Sequence, residues 1–422
     1  VVHTDGAGDR VPVGVVYSLE LAQMPLGTVT VRDFCNRDEV KIPSYFELIS
    51  GIDHHKASIK TNVPGTFTTS DTQAANVLVA EKAMLLHDRY STGGMTRVQI
   101  ERQLEKLEKS QTPSSIKLKQ HLLTKLKNAR GTKGYFVSPE REFVEYMHYI
   151  YAILDDTDLL SKVSARDVLC VAQLLNRMKS IQNRKQTEII SLDDLPKTPE
   201  FPKKAAERIL MNPDMYSLYK KVYARKQDFV EKNLELCGRG KPSTLFLDTK
   251  EQNGCCRVGQ TKLFCDNIPS FKKFASEIQK VWHASCVKIY ADRPEIDLFL
   301  HMISTVPSAD TVYEGKEISE YWHQDELWIW ASPSEQAIVH LKQFLSSFCD
   351  SPGVRNNTFE LECFGKESHE MIALFKESFL PVKVIKGRRS GNLPIAVLRY
   401  KAGSINSRKA MISPFLPRLS GN

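Results

Sequence analysis

The sequence predicts an α/β protein of two domains, the first built on a mainly parallel sheet. Three observations predict it. A chain of 422 residues exceeds what one ordinary core holds, so it should divide. Short β-branched runs alternate with longer segments of helical periodicity from the first residues onward. Several of those runs end in aspartate and histidine, at the position where open parallel sheets carry their active sites.

The elements follow in order. Val1-Val2 reads as the end of a strand, Asp5 to Asp9 as a Gly-rich loop, and Val13 to Met24, after Pro12, as a helix. Thr28 to Val31 and Leu48 to Ile52 are the next strands. Ser70-Asp71-Thr72-Gln73 has the spacing of a capping box for a helix burying Val77, Leu78, Met84 and Leu85. Ile150 to Leu154 reads as a further strand, and Ala165 to Ile181 as a helix. The polar, Pro-containing stretch 183–204 reads as a linker, dividing a first domain at 1–182 from a second at 205–422. In the second, strands are expected at Leu327 to Trp330, Thr358 to Phe364 and Ile395 to Tyr400. A helix capped by Ser332-Pro333-Ser334-Glu335 presents Ile338, Leu341, Phe344 and Leu345 on one face. The tryptophans at 282, 322, 328 and 330 are core candidates.

Composition narrows the classes. Hydrophobic residues are 41% and charged residues 26%, with no apolar run near the roughly 18 residues a membrane span needs, so a soluble protein without membrane partners is expected. Nine cysteines without CxxC spacing suit reduced thiols and an intracellular location, in the cytoplasm or the mitochondrial matrix, and argue against zinc. The chain opens at Val1 without a methionine, which leaves room for a targeting segment ahead of it. Fifty-eight basic against fifty acidic residues give +8, compatible with polyanionic partners such as polyphosphate or RNA.

Most of that excess sits in residues 97–133, where ten Lys or Arg face only Glu101, Glu105 and Glu108. Leu104, Leu107, Leu118, Leu122, Leu123 and Leu126 recur at helical spacing around the break 111–115, so a basic helical hairpin inserted at about 97–134 is expected. Lys117, Lys119, Lys125 and Lys127 are its candidate contacts to RNA or a protein partner; the alternative is a solvated charged face.

The chemistry concentrates in short segments. Gly51-Ile52-Asp53-His54-His55 ends an apolar run with carboxylate and imidazole together, a pairing suited to divalent metal. Ala152 to Asp158 ends in clustered carboxylates that repel unless cations sit among them. Asp33 follows the strand Thr28 to Val31, and His3 and Asp9 flank the first loop. Oxygen and nitrogen ligands from several strand ends suit two divalent cations about 3.5 to 4 Å apart, which can clamp both oxygens of an in-line displacement. The reaction implied is phosphoanhydride hydrolysis.

An Asp after one strand, then Asp-His-His, then Asp-Asp-Thr-Asp resembles the metal-binding motifs of the DHH phosphoesterase superfamily in kind and order. Asp33 and Asp53 are twenty residues apart, near that family's interval. Asn406-Ser407-Arg408-Lys409 through Pro414-Phe415-Leu416 resembles the Ser-Arg-Lys…Pro-x-Leu signature of its manganese-dependent pyrophosphatase and exopolyphosphatase branch, which includes prune-like proteins. Ile296-Asp297-Leu298 resembles a strand of the same second domain. The resemblance implies a DHH domain, a DHH-associated α/β domain and an active-site cleft between them. It implies two Mn or Mg ions on His3, Asp9, Asp33, His54 and Asp156. His55, Arg408 and Lys409 would be the catalytic and substrate-binding residues, and pyrophosphate or short polyphosphate the substrate.

The pattern also departs from the family. Ala7 stands where the first of two aspartates belongs, and Arg10 where a small residue is usual. Asp9 and Asp33 are only 24 residues apart, whereas His54 and Asp156 are 102 apart, with the basic segment between them. Two readings therefore stay open: a metal-dependent phosphohydrolase, or a catalytically degenerate relative serving as a basic, RNA-binding component of a ribonucleoprotein assembly such as a mitochondrial ribosome.

Overall fold

The computed structural model describes residues 2–4, 10–12, 17, 27–35, 42–43, 45–55, 59–108, 112–130, 137–238, 247–249, 258–265, 268–306, 308–314, 324–355, 358–365, 368–379, 382–385, 393–401, 404–405 and 411–416. The chain divides into two compact units, Val1–Asn212 and Pro213–Asn422. Both are mixed α/β.

In the first unit β1 (Val2–Thr4) and β2 (Arg10–Pro12) form a short antiparallel pair. β3 (Gly27–Arg32), β4 (Phe46–Asp53) and β5 (Thr66–Thr69) form a parallel sheet in that order. The register pairs Arg32 with Ile52 and Asp53 with Thr69, so the strand ends open side by side. Gly51 permits this closeness, since a Cβ there would lie 2.7 Å from Cys35 Sγ. The helix expected at Val13 to Met24 lies outside the described residues, Tyr17 excepted.

Helix α1 (Ala75–Tyr90) follows β5 and buries Val77, Leu78 and Met84, but not Leu85, which is 70% exposed. The capping box expected at Ser70 to Gln73 does not form, because Ala74 is the N-cap and makes no side-chain cap bond. The Gln73 amide instead donates to both carboxylate oxygens of Asp167, each at 3.1 Å. The hairpin consists of α2 (Arg97–Leu107) and α3 (Pro113–Ala129), closed on Met95, Ile100, Leu122 and Leu126.

Residues 150–154 are a turn of helix α4 (Pro139–Asp156), which corrects the strand expected there. Read alone, a five-residue apolar run is ambiguous. The wider window is not: Ser138 accepts from the Arg141 amide at 3.2 Å, Pro139 sits in the first turn, and Tyr146, Ile150, Ile153 and Leu154 line one buried face. Helix α5 (Ala165–Asn183) starts at a capping box of Ser164 and Asp167 and packs on α1 and α4. The stretch 183–204 is not a bare linker. Asn176 of α5 accepts from the Ile189 and Ile190 amides and donates to the Ile190 carbonyl, and Ile190 and Leu192 are buried. Helix α6 (Phe201–Leu210) also packs on α5, through buried Phe201, Ala205 and Ile209.

The second unit begins with α7 (Asp214–Gly238). Its remaining elements are β6 (Leu247–Thr249), β7 (Val258–Cys265), α8 (Ile268–Asp292), β8 (Leu298–Thr305), α9 (Ala309–Glu314), β9 (Gln324–Ala331), α10 (Glu335–Phe348), β10 (Phe359–Cys363), α11 (Ser368–Ser378), β11 (Val382–Val384) and β12 (Ala396–Lys401). The strands form one mixed sheet in the order β11-β10-β12-β9-β8-β7-β6. Alternation along β8 sends Leu298, Leu300 and Met302 to the face packed by Leu341, Phe344 and Leu345 of α10. Phe299 and Ile303 point to the face packed by Ile278 and Trp282 of α8, where Trp328 and Trp330 also lie. Ile338 is 37% exposed and is not part of that core face. Trp322 lies outside the described residues. No described helix is long and apolar enough to cross a membrane.

Candidate metal centre

Parallel pairing sets the centre. Asp33 directly follows β3, and its amide continues the ladder by donating to Ile52 O at 2.8 Å. Asp53 is the last residue of β4, and His54 and His55 leave the strand beside it. The three ligand groups of Asp33, His54 and His55 converge, with one ligand atom from each within 4.8 Å of the others.

Each is held by a different device. His54 Nδ1 lies 3.0 Å from the Thr72 carbonyl, which can only accept, so Nδ1 carries the hydrogen and Nε2 is left for Asp33 Oδ1, 3.3 Å away. Asp53 is fully buried and accepts from the Cys35 amide at 2.7 Å, the His55 amide at 2.9 Å and His55 Nδ1 at 2.8 Å. His55 Nδ1 also stands 3.1 Å from Asp33 Oδ1. Asp33 and Phe34 both adopt left-handed backbone, with φ of 63° and 51°.

Electrostatics reflect the crowding. Burial alone would raise the Asp33 carboxyl, but its contacts to His54 and His55 outweigh burial and hold it well below the usual carboxylate range. Asp53 is likewise lowered, because hydrogen bonds from Cys35 and His55 overcome its burial. Burial would lower the His55 imidazole, yet Asp33 and Asp53 push it up. The Cys35 thiol is pushed up to about 11 by burial and by the Asp53 charge beside it.

A divalent cation fits the Asp33 and His54 pair. Asp33 Oδ1 is buried with no hydrogen bond and has the two imidazoles at ion-pair distance, 3.3 Å for His54 and 3.1 Å for His55. Facing it at 3.3 Å is Nε2 of His54, whose Nδ1 hydrogen goes to Thr72, so the two atoms can share a cation. A histidine whose other nitrogen donates to a carbonyl is the usual arrangement around a bound metal.

Other residues are placed differently. Asp156 ends helix α4 rather than a strand, and it is not in the group of three. Its carboxyl is raised by burial, with Lys162 and His54 opposing and Asp33 adding to the rise. After it, Asp158, Leu159 and Leu160 are successive left-handed residues, with φ of 48°, 58° and 63°. His3 lies in β1 opposite Val11. The His3 side chain, Asp9, Arg408 and Lys409 fall outside the described residues. Asp297 accepts from His340 Nδ1 at 2.9 Å, a buried pair that ties β8 to α10.

Of the four hairpin lysines, Lys117 and Lys127 are exposed and Lys119 is half-buried. Lys125 is buried, which corrects its assignment to a basic outer surface. Burial lowers its ammonium, with Glu142 and Asp88 partly compensating and Arg177 opposing them. Sequence reasoning gave Asp53 no role of its own, although it begins the triplet, and did not find the Thr72 carbonyl or the Cys35 amide. A carboxylate two residues before a histidine can signal the Asp53 to His55 bond. The contacts across 18 residues leave no local trace.

No protein-family model matches the chain, and no curated protein does. Among solved structures, the chain is similar to the crystal structure of a Methanococcus jannaschii protein assigned to the family II inorganic pyrophosphatases. That likeness has a TM-score of 0.38 and 12% identity, covering 92% of this chain and 78% of that one.

Proposed function

We propose that the chain is a metal-dependent phosphohydrolase acting on pyrophosphate or a short polyphosphate. The observation that carries this reading is the buried Asp33 Oδ1 facing His54 Nε2 at the end of a parallel sheet, two ligand atoms placed so that they can share a cation. Asp33 and His54 would hold a Mn or Mg ion, and Asp156, with His3 and Asp9 of the first loop, would complete a pair of sites. A divalent cation there supplies Lewis acidity, neutralising phosphoryl charge and lowering the pKa of water.

The chain's own groups have separate tasks. Thr72 fixes the His54 tautomer. Asp53 holds His55 by its amide and by Nδ1, leaving Nε2 as the ring atom for a substrate oxygen. In hydrolysis a water oxygen bonds to phosphorus and releases a proton to solvent, and the bridging P–O bond breaks with its electron pair on the departing phosphate. His55, favoured as imidazolium by the two carboxylates, is placed to give that phosphate a proton. Arg408 and Lys409 would hold the phosphate charge.

The test is phosphate release from pyrophosphate and tripolyphosphate with Mn or Mg. His54→Ala should abolish release. A folded wild-type sample that releases none with either metal sinks the reading.

A further inference from the structure

Phe34 stands beside this centre in a way that hydrolysis of a bare inorganic anion does not call for. Its ring stacks on the His55 imidazole, with centroids 4.3 Å apart and planes at 22°. The side chain is nevertheless 47% exposed. Its backbone is left-handed, a conformation that a bulky residue adopts only when the surroundings impose it.

The surroundings do impose it. On one side the Asp33 amide is bound to Ile52 O at 2.8 Å, and on the other the Cys35 amide is bound to Asp53 Oδ2 at 2.7 Å. Phe34 is the apex between two pinned residues. The ring is not needed to orient His55, which Asp53 already holds through two hydrogen bonds. Nor is it there to fill a core, since a packing role would bury it. What the turn leaves is a half-exposed aromatic ring stacked on the imidazole proposed to meet substrate.

A phosphate has no use for that face, because the π cloud of a phenyl ring is its negative side and repels an anion. A planar, polarisable ring does have a use for it. Resting on the phosphohydrolase reading above, we infer that the site takes a nucleoside phosphate, with the phosphate at Asp33, His54 and His55 and the nucleobase stacked on Phe34. Stacking is tolerant of base identity, so the platform selects for a base without choosing among bases.

Equilibrium binding separates the possibilities without turnover. Titrations with adenosine 5′-monophosphate and with ribose 5-phosphate, in the presence of Mn, read the value of the base alone. The wild type should bind the nucleotide about 5- to 150-fold more tightly, the range for one base on one aromatic ring. Phe34→Trp should keep the preference. Phe34→Gly, which suits left-handed backbone and so should fold, should erase it while leaving ribose 5-phosphate affinity unchanged. Equal affinity for the two ligands in the wild type, no binding of either, or a preference that survives Phe34→Gly overturns the inference. Pyrophosphate hydrolysis without a nucleotide preference overturns this inference alone. A nucleotide preference without any phosphate release overturns the hydrolase reading alone.

Discussion

His54 gives its Nδ1 hydrogen to the Thr72 carbonyl at 3.0 Å, and that bond turns Nε2 toward Asp33, 3.3 Å away. If a cation belongs between them, Mn should stabilise the fold, by about 2.7 kcal/mol at one hundred times its Kd. Thermal melts with and without Mn measure this. His54→Ala and Asp33→Asn should each remove the Mn-dependent rise, and an identical rise in either variant would show that the ion binds elsewhere.

Asp53 accepts three hydrogen bonds in a fully buried position. Asp53→Asn should cost about 1.5 to 3 kcal/mol, because a charged acceptor is lost and its donors are left in the protein interior. The carboxyl is held below its ordinary value, so its contribution is present above about pH 4 and fades as pH falls through the folded-state pKa. Urea melts at several pH values should show a shallower acid limb in the variant.

His121 sits on α3 near Asp88, with Nδ1 3.5 Å from Oδ1, yet its imidazole is pushed down to about 4. Burial is the main cause, Lys125 and Arg177 add to it, and the opposing pull of Asp88 and Glu142 is weaker. Asp88 is already taken by a two-pronged bond from Arg177, both distances 2.7 Å. The unfolded chain therefore binds a proton that the folded chain refuses, and stability should fall as pH drops from about 6.5 to 4, by at most about 3 kcal/mol. His121→Gln should flatten the curve in that window; an unchanged slope would refute the assignment.

The hairpin lysines should behave as two groups. Replacing Lys117 and Lys127 by Gln should change stability by less than about 0.5 kcal/mol. Lys125→Gln should cost more than that, about 1 kcal/mol, because its side chain is buried beside Glu142 and Asp88. If RNA affinity tracks Lys117 and Lys127 and falls steeply with salt, the scaffold reading gains the support it now lacks.

The strands β3 and β4 were legible because β-branched residues and a polar terminus coincide in Thr28 to Asp33 and Leu48 to His55. The Asp33, His54 and His55 group was legible for the same reason, since residue type and strand-end position are both local. Helix α4 was misread where Ile150 to Leu154 was weighed without Ser138-Pro139, its start signal, which opens twelve residues earlier. Lys125 was misread because its charge says nothing of Asp88, Glu142 and Arg177, which reach it from three other helices. The Asp167 bond to Gln73 spans 94 residues and belongs wholly to tertiary structure.

The position of β12 between β9 and β10 sets an order of events in synthesis. Until residues 396–401 have left the ribosome, β9 and β10 have no common partner, and the sheet exists only as two pieces with open inner edges. At about 5 to 20 residues per second, the 33 positions from Cys363 to Ala396 leave both edges exposed together for a few seconds in every round of translation. A nascent chain stalled before Ala396 should therefore recruit holding chaperones, whereas one stalled beyond Lys401 with its exit tunnel cleared should shed them.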